Sequence, residues 1–388
     1  MKYYLYLAAL FIITVVMSCG KPQEQSEWKE INLKLNTVLT LPDSIHQQGS
    51  EVFFHHPDYV VTNEKGNIIV ADRARNELLV FNKDGEFIDT IGQRGRGPGE
   101  FLKIKGMTIN ESGEILVFDS SSQMIKKFTS SGDYVTSHNL QTATVDIEFE
   151  HWKHNNILFY LKDLPADSDP NYMLHAYSPS FQLIGEDISY RELEFMDQDL
   201  LVSYVASTGN SHFIQNDTLY FAPTLYNGLI YQYEIKQDAN QQITLRLKNK
   251  TQGHTFIKKP AERFNGENLP YADATITMAS GRKLQTLLYN QSKGLYQLNN
   301  GVIVHFTYIE KEEPRKRVFG VEVYDKTMKP IGYAPFKEIF YDPDRSNMLS
   351  WNVIWKDAED RFYIVDKDSD GPPAIRVVTL EGLEEYIN

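Results

Sequence analysis

The chain has 388 residues, 41% of them hydrophobic, a formal net charge of −13 and one cysteine. A single cysteine excludes a disulfide scaffold, and the acidic balance argues against a nucleic-acid partner, whose phosphates call for basic surfaces. The length would suit two or three ordinary domains or one closed repeat architecture, and the 23 Tyr and 21 Phe suit pleated, half-buried surfaces.

Met1-Lys2 gives a short basic start, and Tyr3 to Met17 is an uncharged, mostly apolar run, short for a membrane span. Residues 1–18 therefore read as a signal peptide. The run ends in Val16-Met17-Ser18-Cys19-Gly20, which resembles the bacterial lipobox, in which small residues precede a cysteine that is lipidated and becomes the first mature residue. That resemblance implies a lipid anchor on Cys19, with a buried structural thiol as the plain alternative. Cleavage there would remove Lys2 and no acid, making the body slightly more acidic. Residues 19–27 lack periodicity and read as a polar tether.

The body, residues 28–388, is repetitive. Residues 66–87, GNIIVADRARNELLVFNKDGEF, align without a gap on residues 113–134, GEILVFDSSSQMIKKFTSSGDY. Gly66 and Gly113, Asp72 and Asp119, Phe81 and Phe128, and Gly85 and Gly132 are each 47 apart. Each copy is a short β-branched run ending in Asp, a polar turn, a second apolar run, a Gly turn and an aromatic-led run, which describes a meander of short strands. Degenerate copies follow at Asn156–Tyr160, Asp217–Phe221, Gly301–Phe306 and Arg361–Asp366, each with a second apolar run after it. Six units of this size predict an all-β, six-bladed β-propeller of four-stranded antiparallel blades. Residues 251–290 interrupt the spacing as an insertion, with Ala272 to Asn290 a candidate helix. The alternating segment at residues 28–41 is predicted to complete the last blade, because the final repeat otherwise ends in barely one strand.

Phe54-His55-His56-Pro57-Asp58-Tyr59-Val60-Val61, Gly66 to Asp72, Leu78 to Phe81 and Gly85-Glu86-Phe87 together resemble NHL-type propeller repeats. With the lipobox, the chain resembles the six-bladed β-propeller lipoproteins of Bacteroides-type bacteria. The resemblance is carried by motif over residues 52–140 and by spacing beyond. It implies an exported, membrane-tethered propeller at the cell envelope, on the outer membrane, and it brings no established reaction and no catalytic residues.

In a propeller, the loops entering each innermost strand and those joining its second and third strands share one face. Here they hold His55 and His56, Arg73 to Asn76, Gln93 to Gly99, Ser120 to Ser122, Asp167 to Asn171, Tyr226 and Asn227, and Lys367 to Pro373. The candidate ligand face is His55, His56, Arg73, Arg75, Arg94, Arg96, Tyr226 and Asn227. Gly92 to Gly99, GQRGRGPG, could cradle a phosphate with Arg94 and Arg96, but it lacks the Lys-Ser/Thr of a P-loop and a following helical pattern, so a tight blade connector is the favoured reading. Asp366, Asp368 and Asp370, followed by Gly371, match the first half of a calcium loop. Val377 stands where the bidentate Glu belongs and Pro372-Pro373 follow at once, so a solvated turn competes with calcium and is favoured, and no cofactor is expected. His55, His56, His151, His154, His212 and His305 could converge on a metal from different blades, although no H-x-x-x-H helical pair supports it. A Ser-His-Asp arrangement stays open, although no G-x-S-x-G elbow occurs. Tyr226 and Trp351 are candidates for an exposed ligand platform, with core packing favoured for Trp351.

The functional expectation is a lipid-anchored, exported binding module that recognises an envelope protein, a small molecule or a glycan through the loop face, reaching the membrane through Cys19. The competing expectation is a channel-mouth, metal-assisted hydrolase or lyase acting on a small or sugar substrate.

Overall fold

A computed structural model of the chain describes residues 28–42, 53–140, 144, 146–160, 172–189, 193, 211–257, 261–265, 274–277, 283–310, 317–341, 352–366 and 373–387. The six repeat units are six four-stranded antiparallel sheets. Blade 1 is β2 (Pro57–Thr62), β3 (Ile68–Asp72), β4 (Glu77–Phe81) and β5 (Phe87–Ile91), and blade 2 is β6 (Ile104–Ile109), β7 (Ile115–Asp119), β8 (Met124–Phe128) and β9 (Tyr134–Asn139). Blade 3 is β10 (Glu148–Trp152), β11 (Asn155–Phe159), β12 (Tyr172–Tyr177) and β13 (Leu183–Ser189), and blade 4 is β14 (Ser211–Gln215), β15 (Thr218–Ala222), β16 (Leu229–Gln237) and β17 (Ile243–Gln252). An additional three-stranded sheet, β18 (Ala261–Asn265), β19 (Ala274–Thr277) and β20 (Lys283–Leu288), precedes blade 5, which is β21 (Gln291–Gln297), β22 (Ile303–Glu310), β23 (Arg317–Tyr324) and β24 (Pro330–Tyr341). Blade 6 is β25 (Asn352–Lys356), β26 (Phe362–Asp366), β27 (Ala374–Glu381) and, as its outer strand, β1 (Lys34–Leu41).

The first strands of the blades form the inner wall: β2 packs on β6, β6 on β10, β10 on β14, β14 on β21, β21 on β25, and β25 back on β2. β1 locks the circle by pairing antiparallel with β27, from Lys34 opposite Glu381 to Leu41 opposite Ile375. The predicted N-terminal closure is therefore the one observed. The insertion is a correction, because strands and not a helix occupy 274–277 and 283–288. Their composition explains it: Ala-Thr-Ile-Thr is β-branched at three successive positions, and such side chains crowd the preceding turn of a helix but lie easily on a pleated sheet.

The core is divided among six clusters, one at each blade junction. In β3, Ile69 and Ala71 face blade 2 while Ile68 and Val70 face blade 6, which is why a second strand reads as an unbroken apolar run: both its faces are covered. Each such fully buried branched side chain contributes about 2 kcal/mol. The repeated glycines allow the blades to approach. Gly132 has φ +93° and a Cβ there would lie 2.6 Å from Ile91 of β5, while Gly85 has φ +88° and a Cβ would lie 2.9 Å from Leu39 of β1. The N-terminal strand thus offers blade 1 the same surface that β5 offers blade 2.

The repeated aspartates hold the loops entering the blades. Asp72 accepts from the backbone N–H of His55 at 2.6 Å and of His56 at 3.1 Å, and Asp119 from Leu102 at 3.1 Å and Lys103 at 3.0 Å. Both carboxylates are fully buried, so these bonds supply the partners that burial of a charge requires.

Candidate functional site

Polar groups of the inner strands meet one another along the inner wall. Tyr59 on β2 donates its hydroxyl to Asp146 Oδ1 at 2.6 Å, and Lys105 on β6 lies 2.9 Å from Asp146 Oδ2. Asp146 stands just before β10, so one carboxylate joins blades 1, 2 and 3 at the inner wall. Burial pushes Asp146 above the usual carboxylate range, with Lys105 and Tyr59 opposing that rise. Burial also carries the Tyr59 phenol well above its ordinary value, with Asp146 next in effect, so its proton stays in place as a donor.

Beside this bridge is a second group. Arg73 Nε and His56 Nδ1 each lie 2.8 Å from Asp58, through Oδ2 and Oδ1 respectively. Arg73 Nη2 meets His56 Nε2 at 2.6 Å, which assigns the ring a proton on Nδ1 and an acceptor at Nε2. The peptide N–H groups held by Asp72 set the position of His56, so the repeat lock also orients this cluster.

Further round the wall, Glu148 and Glu150 alternate with Phe149 on β10. His212 on β14 lies between them, with Nδ1 3.8 Å from Glu148 and Nε2 4.0 Å from Glu150, its ring 4.2 Å from that of Phe159. Burial pushes the Glu150 carboxyl up to about 7, against the N–H of His151, which donates to it at 2.9 Å. Tyr296 on β21 is pushed above its ordinary value first by burial and then by Glu148 and Glu150, and it donates to Val353 O at 2.7 Å. Trp355 on β25 donates to Thr62 Oγ1 at 3.0 Å and joins blade 6 to blade 1. The inner wall is thus rich in carboxylates, with phenol, imidazole and ammonium groups interleaved, and it can exchange hydrogen bonds with a polar ligand from several directions.

The sequence-predicted residues fall into three groups. His56 and Arg73 are brought together beside the channel network, and His55 is exposed next to them. Arg75 pairs with Glu77 and donates to Phe53 O at 3.2 Å. Arg94 and Arg96 are exposed on the Gly92–Gly99 connector, whose interior is filled by the chain's own carboxylate: Glu100 accepts from the N–H of Gly97 and from Gln93 Nε2, each at 2.7 Å. Those bonds hold Glu100 below the usual carboxylate range.

Tyr226 and Asn227 require correction. Tyr226 is fully buried and donates to Glu322 at 2.8 Å, and Asn227 is buried with its Oδ1 accepting from the N–H of Leu229 at 3.0 Å, so neither forms an exposed platform. A large phenol ring leaves water readily when its hydroxyl finds a buried acceptor. Asp366 is buried at the end of β26, in the place of Asp72 and Asp119, and accepts from Arg376 Nε at 2.6 Å. Its carboxylate is thereby paired within blade 6. Cys19, Asp368, Asp370 and Trp351 lie outside the described residues, and among the described residues no group of three or more His, Cys, Asp or Glu side chains is arranged to hold a metal ion.

Sequence reasoning missed Tyr59, Lys105, Asp146, Glu148 and Glu150. Their signal was present in Asp146-Ile147-Glu148-Phe149-Glu150, charges at period two just before the third unit, but that unit was recognised only from its second strand onward.

In overall structure the chain is similar to a member of the DUF4221 family from Bacteroides vulgatus, at 11% identity over 91% of this chain and 99% of that one, with a TM-score of 0.51. It is also similar to an exported-protein candidate from Bacteroides fragilis, at 15% identity over 92% of this chain and 98% of that one, with a TM-score of 0.53. At these identities the likeness establishes the propeller fold. No curated protein matches the sequence. A family profile described as a domain of unknown function, DUF4934, matches residues 50–280, more than half of the sequence, and the chain belongs to that family.

Proposed function

We propose that this propeller is a binding module of the bacterial cell envelope, exported and tethered through a lipid on Cys19, which takes a small polar ligand, such as a glycan fragment, or a partner's polar loop at the channel mouth. The observation that carries the reading is the convergence of Tyr59, Lys105 and Asp146 from three blades, flanked by Asp58, His56 and Arg73 on one side and by Glu148, Glu150 and His212 on the other. Polar groups held on strands of a rigid wall are pre-organised, so little ordering cost opposes binding. The likeness to an exported-protein candidate agrees with export.

The test is a glycan array probed with the body from residue 28 onward, with calorimetry on any ligand found. Tyr59→Phe and Asp146→Asn should each weaken binding about tenfold, corresponding to one lost hydrogen bond of about 1.4 kcal/mol. Arg94→Ala on the connector should leave affinity unchanged. A ligand that bound both channel variants as tightly as the parent protein would place recognition elsewhere.

A further inference from the structure

Away from the channel network, blade 5 holds a constellation that the binding reading does not use. His305 on β22 places Nε2 2.7 Å from Ser292 Oγ on β21 and Nδ1 2.9 Å from Glu322 Oε2 on β23. The three residues come from three successive strands of one sheet, so the ladder itself fixes their spacing, and His305 is directly opposite Glu322 in the β22–β23 register. A hydroxyl on one ring nitrogen and a carboxylate on the other is the arrangement that turns serine into a nucleophile, a role recognised by geometry and not by chain order.

The carboxylate is held for that task. Glu322 Oε2 also accepts from Tyr226 and Tyr324 at 2.8 Å each, and Oε1 accepts from the N–H of His254 at 2.7 Å. Burial alone would raise Glu322, but these bonds, with that of His305 foremost, hold it below the usual carboxylate range and therefore ionised. Both phenols are pushed well above their ordinary values, first by burial and then by Glu322, and remain donors. An ionised Glu322 accepts a hydrogen bond from His305 Nδ1–H, which leaves Nε2 as the basic nitrogen facing Ser292. Tyr226 packs edge-on against the ring at 4.6 Å and fixes its plane. In the resting arrangement the Ser292 hydroxyl donates to Ser211 Oγ at 2.6 Å, one rotation about Cβ–Oγ away from His305.

We infer that Ser292, His305 and Glu322 form a serine acyl-transfer site for a small ester, reached past Ser211 at the start of β14. Ser292, His305 and Glu322 are fully buried, and Ser211 is the least covered of the four, so the substrate must be small and must displace the Ser211 hydroxyl from Ser292. In the step, Ser292 Oγ bonds to the ester carbonyl carbon while its proton passes to His305 Nε2. The carbon–oxygen bond to the alcohol then breaks, and the leaving oxygen takes that proton from Nε2. Water attacks the acyl-serine, gives its proton to His305, and releases the carboxylic acid as Ser292 recovers its hydrogen. No redox partner or cofactor enters the balance.

The test uses the full body with a small fluorophosphonate, read by intact mass and peptide mapping. One adduct is expected, on Ser292, absent in Ser292→Ala and formed at least about 100-fold more slowly in His305→Gln, the share a positioned base supplies. Ser211→Ala should still be labelled. Folded parent protein that acquires no adduct on Ser292, or a His305→Gln variant labelled at the parent rate, would overturn the assignment. Because the parent protein supplies the primary readout, a variant that fails to fold does not obscure the answer, and ligand binding at the channel is scored independently.

Discussion

Blades 1 and 2 and blades 4 and 5 solve the same problem, holding the end of an inner strand against its neighbours, by different chemistry. In blades 1 and 2 the devices are local and repeat every 47 residues. Asp72 and Asp119 hold the entering loops, and Asn63 and Asn110 close the next turn, with each Oδ1 accepting from two backbone N–H groups. In blade 4 the run corresponding to Ile68–Asp72 ends in Ala222 and has no carboxylate to offer. There the inner strands β14 and β21 are joined by Ser211 and Ser292, and blade 4 reaches blade 5 through Tyr226 and Glu322. Glu322 gathers donors from Tyr226, His254, His305 and Tyr324, residues that span 98 positions of sequence (226 to 324). A repeated lock tolerates divergence one blade at a time, whereas a shared buried network concentrates its risk in one residue.

The largest expected effect breaks the repeated lock. Asp119→Ala leaves the N–H groups of Leu102, Lys103 and Ser121 without their acceptor and removes the carboxylate 3.2 Å from Lys126, a buried cation that also donates to the Glu100 carbonyl. Removing one member of a buried pair costs about 4 kcal/mol, to be read from the urea midpoint. Asp72→Ala should cost about 3 kcal/mol, because no buried lysine accompanies it. Asp72 accepts from four backbone N–H groups and Asp119 from three, so equal losses would limit the Lys126 pair to the value of one such bond.

Next comes Glu322→Gln, expected to cost about 3 kcal/mol near neutral pH, since an amide cannot accept from all the donors that surround the carboxylate. This effect depends on pH with a definite sign. A carboxyl held below its unfolded value stabilises the fold above the unfolded range, and that stability is lost as pH falls through the ordinary glutamate range and then through the lower folded value. The acid limb of the stability curve should therefore be shallower in Glu322→Gln than in the parent protein. Parallel limbs would remove Glu322 from the account of acid unfolding.

The same contrast explains what was readable from the sequence. Fold, blade number and closure were legible because second strands with both faces covered must be apolar throughout, and turns with positive φ favour Gly, as at Gly85 and Gly132. That His56 and Arg73 lie near each other was legible because both adjoin a repeated motif. The channel carboxylates and the Ser292–His305–Glu322 group were not, because each residue lies on an unremarkable strand and only the register places them together. Tyr226 was misread for a related reason: a loop position in the chain order carries no information about whether the next blade covers it. The bury-or-expose outcome was decided by Glu322, 96 residues away.

The smallest effect asks whether the channel wall behaves like either region. Glu150 is raised from 4.5 to about 7 by burial, so the folded chain holds this proton more tightly than the unfolded one. Its contribution is fully present below the unfolded value and is lost as pH rises toward 7. The full shift would correspond to about 3 kcal/mol, but a quarter of the side chain is open to the channel, so about 1 kcal/mol is the appropriate expectation. Glu150→Gln should therefore match the parent protein at pH 4 and exceed it by about 1 kcal/mol at pH 8. This is opposite in sign to Glu322→Gln, because Glu150 has one backbone N–H where Glu322 has a ring of donors. A carboxylate that destabilises its own fold near neutral pH is kept by something other than stability, and a ligand donor that restored the ionised form on binding would raise the affinity as the pH rose through 7. If Glu150→Gln instead lowered stability at pH 8, the wall would already supply Glu150 with its partners, and the channel would be a second structural network like that of blade 5.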